Sequence, residues 1–140
     1  MIFNTTHLNT EKNEIIHKLV GRSFSIWEIL FLKKKGSHRM IIEDFSQNFN
    51  KYFKINNDLL YGSIEIREKG IIIRISINRE TISWLIPYYK LTIYNSKNFN
   101  IYSNEDFIKF KKDKYYIMNK KFVRSLINEK AFYSKKFSVN

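Results

Sequence analysis

Asp58, Glu65 and Arg67 are the residues of this chain that come nearest to a reaction centre. Two carboxylates beside a cation are the residue types from which a metal-assisted hydrolytic site can be built. Glu65 followed by Arg67 is also what the solvent side of any alternating strand displays, and that is the simpler reading. His7, His17 and His38 have no second ligand at metal spacing, cysteine is absent, and no H-E-x-x-H or Asp-rich loop occurs, so no metal centre is expected. No G-x-S-x-G, P-loop or dinucleotide fingerprint is present, and four glycines leave no loop to cradle phosphates. The expectation is a chain without catalytic residues and without a cofactor.

The cations are more informative. The formal net charge is +12, and residues 109–140 hold ten basic against two acidic side chains. Lysine, isoleucine, asparagine, tyrosine and phenylalanine, all written with A- and T-rich codons, dominate the composition, so part of this excess reflects the genome. Its concentration at one end is what points to a surface. Lys109, Lys111, Lys112, Lys114, Lys120, Lys121 and Arg124 are expected to form one basic patch for an acidic protein, an anionic membrane surface or nucleic acid. A second arrangement interleaves Arg74, Tyr88, Lys90, Tyr94, Tyr102, Lys109 and Lys111 on the solvent face of a sheet, where aromatic rings can stack bases and cations pair with phosphates.

These residues need a scaffold, and the hydrophobic periodicity supplies one. Residues 1–9 read as a flexible arm and 10–53 as mainly helical. Thr10 is placed as the N-cap of a helix running to Val20 and closed by Gly21. The run 26–32 fits a helix through the capping box of Ser25 and Glu28, and equally a buried strand. Ile41, Ile42, Phe45, Phe49, Tyr52 and Phe53 recur at three and four, which predicts a helix over 38–53. From residue 59 to 111 the period is two, and six antiparallel strands are expected in sequence order, with Ile73, Ile75, Trp84 and Ile93 inward. Met118, Phe122, Val123, Leu126 and Ile127 then predict an amphipathic helix over 117–132, with Phe122 and Leu126 in the core.

The fold class is therefore α+β in one domain: N-terminal helices, a six-stranded antiparallel meander or partial barrel, and a C-terminal amphipathic helix. Sequential antiparallel strands with Trp84 ahead of Ile86, Pro87 and Tyr88, followed by one C-terminal helix, resemble the pleckstrin-homology-like superfold over roughly residues 59–132. That superfold normally has seven strands, so the run 26–32 is a candidate for the seventh. The resemblance implies binding of phosphoinositides, peptides or proteins rather than catalysis. Asp58, Glu65 and Arg67 are in turn similar to the acid, acid-x-Lys pattern of restriction-type nucleases, with Arg where the pattern has Lys. No basic lead with an apolar stretch stands at the N-terminus, and no apolar run is long enough to span a membrane, so a cytoplasmic location is expected. The favoured function is a non-catalytic binding or scaffolding module with a basic C-terminal surface. The alternatives are nucleic-acid binding and, behind it, a metal-dependent nuclease.

Overall fold

The computed structural model describes residues 1–25, 28, 36–53 and 59–136. These form β1 (Ile2–Asn4), α1 (Thr10–Val20), β2 (Met40–Phe45), β3 (Leu60–Ile66), β4 (Gly70–Ile77), β5 (Glu80–Pro87), β6 (Thr92–Asn95), β7 (Phe99–Ser103), β8 (Asp106–Phe110), α2 (Lys114–Met118) and α3 (Lys120–Lys136). The class is α+β, and every strand pairing is antiparallel. The six expected strands are present as β3 to β8, and β1 and β2 raise the sheet to eight.

The strands do not form one meander. Their order is β1-β5-β4-β3-β2-β8-β7-β6, so β5 and β6, neighbours in sequence, lie six strand positions apart. Across a flat sheet that separation is about 29 Å at the usual strand spacing. The path from Pro87 to Thr92, through a 3₁₀ turn at Tyr88–Lys90, reaches at most about 18 Å fully extended. The sheet must therefore curl, bringing the β6 edge back towards the end of β5. The meander expectation fails here because alternation reports which face a residue takes and carries no information on which strand lies beside it.

Curling gives the sheet an inner face that holds most of the core. Ile71, Ile73 and Ile75 of β4 stand opposite Ile86, Trp84 and Ile82 of β5, and all six are buried. Phe99, Ile101, Ile108, Phe110, Val123 and Leu126 join the same cluster, and Ile93 and Phe122 are partly buried against it. At about 25 cal/mol per Å² of apolar surface, this cluster is the main source of stability. The outer face of β4 and β5 buries Ile72 and Leu85 under Ile16 and Val20 of α1. Gly70 is required where β4 begins against β5, since a Cβ there would lie 2.2 Å from the Ile86 carbonyl oxygen.

Several local expectations change. Residues 2–4 are not a loose arm: β1 pairs with β5 (Ile2↔Trp84, Asn4↔Ile82), and Thr5 Oγ1 meets Ser83 Oγ at 2.6 Å. Three residues are too few to show a period, and the unsatisfied β5 edge recruits them. The N-cap of α1 is Asn9 rather than Thr10, its Oδ1 accepting from Lys12 N at 2.8 Å, while Gly21 ends the helix at φ 79° as expected. The helix expected over 38–53 is instead β2 followed by a 3₁₀ turn at Gln47–Phe49. A bulge between Ile42 and Asp44 returns Phe45 to the face of Ile42, producing the three-residue spacing that imitates a helix. Phe49 and Phe53 then stack at 5.2 Å under Trp84. The closing helix divides into α2 and α3, and Met118 and Ile127 are exposed rather than core. Apart from Glu28, the run 26–32 lies outside the described residues, but its capping box is present: Ser25 N donates to Glu28 Oε1 (3.3 Å) and Glu28 N to Ser25 Oγ (3.2 Å).

Candidate binding groove

β6 pairs with β7 on one side and, among the described residues, is an unpaired edge of the sheet on the other. Alternate N–H and C=O groups of Thr92–Asn95 consequently face outward. Tyr94 is exposed, whereas Ile93, two-fold out of phase, turns inward against the core. Two adjoining clefts follow this edge. One, of about 460 Å³, is lined by Leu91, Thr92, Ile93, Asn95, Ile127, Lys130 and Ala131. The other, of about 330 Å³, is lined by Asn95, Tyr116, Lys120, Val123, Arg124 and Ile127. Asn95 and Ile127 belong to both, so the two are one groove between β6 and α3.

Local sequence explains how α3 is held there. Asp113 caps α2, its Oδ1 accepting from Tyr115 N at 2.9 Å, and Asn119 interrupts the helix. Asn119 is buried with both amide atoms hydrogen-bonded: Nδ2 donates to Tyr115 O at 2.8 Å, and Oδ1 accepts from His38 N at 2.9 Å. α3 starts from this fixed point. Val123 and Leu126 enter the core, and Lys120, Arg124, Ile127 and Ala131, spaced four, three and four, form the neighbouring stripe along the groove. Tyr116 closes the floor, its ring 5.9 Å from Phe99 and its hydroxyl donating to Asn95 Oδ1 at 3.3 Å. At the other end Lys130 donates to the Tyr88 carbonyl at 2.6 Å, and desolvation holds its ammonium below the ordinary lysine value. Tyr88 is buried, its hydroxyl donates to Arg67 O at 3.2 Å, and burial pushes its phenol well above the ordinary range.

The seven expected patch residues occupy several places. Lys120 and Arg124 line the groove, are exposed, and among the described residues have no acidic partner within ion-pair distance. Lys112 approaches the same Tyr116, its ammonium 5.1 Å from the ring, and donates to Ser96 O. Lys114 covers Tyr115 at 5.4 Å. Lys109 is on the outer face of β8, 5.4 Å over Phe107 and opposite Asp44 in the pairing with β2. Lys111 and Lys121 are exposed and line neither cleft. Sequence reading missed Asn95, Tyr116, Ile127, Lys130 and Ala131. The stripe spacing on α3 was available as a signal, but nothing in the sequence marks Asn95.

The other arrangements are less complete. Glu65 lies between two guanidinium groups, Oε1 2.6 Å from Arg74 Nη1 and Oε2 2.8 Å from Arg67 Nε, so its charge is met by arginines. Its expected companion Asp58 lies outside the described residues. Those contacts also remove Arg74 from the stacking face, and Tyr88, with 1% exposure, is in the core rather than on that face. Tyr102 remains on the outer side of β7, 5.8 Å from Phe107. A cleft of about 500 Å³ beside Met1, Gln47 and Asp106 is polar, but Asp106 Oδ1 already accepts from Ser46 Oγ and Asn48 Nδ2, each at 2.9 Å. Among the described residues no helix is long and apolar enough to cross a membrane. No family model, curated protein or solved structure matches this chain.

Proposed function

We propose that this protein is a non-catalytic binding module that takes an extended acidic segment of a partner protein along the β6 edge, in the groove against α3. The observation that carries this reading is that, among the described residues, an unpaired strand edge coincides with a continuous groove whose cations lack acidic partners. Adding a strand supplies main-chain hydrogen bonds for affinity, and the groove supplies side-chain pockets for selectivity. The reading accords with the binding roles that the resemblance to the pleckstrin-homology-like superfold implies.

Amide hydrogen exchange of the whole chain tests it, with a ten-residue peptide of alternating Glu and Thr as the probe. Exchange at the outward amides of Thr92–Asn95 is expected to slow on binding, while the other edge strand, β1, is unaffected. Protection confined to β1, or binding of single-stranded DNA or phosphatidylserine vesicles with no binding of the peptide, overturns the reading.

A further inference from the structure

We infer that the groove selects an acidic residue followed, two positions later, by an aliphatic one. This rests on the strand-addition reading above and assigns it a ligand sequence.

Ile93 and Asn95 are two residues apart on β6, and both line the groove. In a strand added beside β6, the residues opposite them also lie two apart and point to the same side. The two ends of the groove differ in chemistry. Beside Asn95 stand Lys120 and Arg124, and Tyr116 donates its hydroxyl hydrogen to Asn95 Oδ1, so the groups left over at this end are donors and positive charge. A carboxylate fits there, since charge-assisted hydrogen bonds are the stronger kind.

Beside Ile93 the walls are Leu91, Ile127 and Ala131, and the one cation, Lys130, has its ammonium on the Tyr88 carbonyl. Ala131 is the only alanine in the chain, and its small side chain leaves depth for an aliphatic group. The order of the two residues follows from direction. Every pairing in this sheet is antiparallel, and antiparallel pairing is the more stable per residue. A strand running antiparallel to β6 meets Asn95 before Ile93, so the acid comes first.

The experiment measures fluorescence anisotropy of labelled peptides with a Glu-Thr-Ile centre in a Ser/Thr host, beside versions with Gln-Thr-Ile, Glu-Thr-Ala and the reversed Ile-Thr-Glu. The whole chain, Arg124→Gln and Ala131→Phe are the proteins; both substituted positions are exposed, and unchanged melting confirms that the variants fold. Replacing Glu by Gln in the peptide is expected to weaken binding about tenfold, as is Arg124→Gln, with little further loss when the two are combined. Ala131→Phe is expected to weaken the Ile peptide and leave the Ala peptide unchanged. Equal affinity for the reversed peptide, or an Arg124→Gln effect that ignores the peptide charge, overturns the selectivity. If that occurs while the β6 amides are still protected, strand addition stands alone; if no peptide protects β6, both readings fall.

Discussion

Asn78 and Arg79 form the two-residue turn between Ile77 and Glu80, and both have positive φ, 49° and 67°. This is the backbone that matches the right-handed twist of a hairpin, and Gly is its usual second residue. Arg79 adopts it at a cost of roughly 1 kcal/mol, because its Cβ crowds the backbone in the left-handed region. Arg79→Gly is therefore expected to stabilise the protein by about 0.5–1 kcal/mol, measured by urea unfolding, and an equal or lower midpoint contradicts this. Residue types alone are equally mute on Glu65. Its alternation with Arg67 was visible, but Arg74, nine positions away, reaches it only because β3 and β4 pair in register with Glu65 opposite Ile72.

At the scale of elements, strong periodicity over a long run was legible and short or interrupted runs were not. The inward set of β4 and β5, Ile71, Ile73 and Ile75 facing Ile86, Trp84 and Ile82, follows the period of two, whereas the burial of Ile72 and Leu85 on the other face comes from the packing of α1, and α3 follows its 3.6-residue pattern through Val123 and Leu126. β2 was misread because a single bulge changes a spacing of two into three. The contribution of α3 to the core can be measured directly. Leu126→Ala, which empties a fully buried position among the strands, is expected to cost about 2–5 kcal/mol, while Phe132→Ser, at an exposed position on the same helix, is expected to cost less than about 0.5 kcal/mol. Comparable losses for the two variants would mean that α3 does not pack by the face seen here.

For the molecule as a whole, the charge of +12 acts on folding and on binding with opposite signs. Self-repulsion opposes the compact state and salt screens it, so raising the salt from about 20 to 200 mM is expected to raise the melting temperature by a few degrees. The same screening weakens attraction between Lys120 or Arg124 and an acidic peptide, so the affinity is expected to fall over the same range. Calorimetry and anisotropy on one preparation check both. Peptide affinity that does not change with salt would show that the cations play no part in binding.

What the amino-acid sequence determined by itself is the alternation that makes β3 to β8, the stop at Gly21, the inward faces of the strands and the Leu126 side of α3. Each is a local consequence of where apolar groups recur along a chain of known pitch. The strand order, the curl imposed by the short path from Pro87 to Thr92, and the meeting of Asn95 and Ile93 with Arg124 and Ala131 were decided only in three dimensions. Pairing partners are selected by the packing of the whole sheet, and residues some thirty positions apart carry no mark of the neighbour they will face. The basic residues were evident from the start. Which of them stand beside an open strand edge was settled when β6 became the last strand of the sheet.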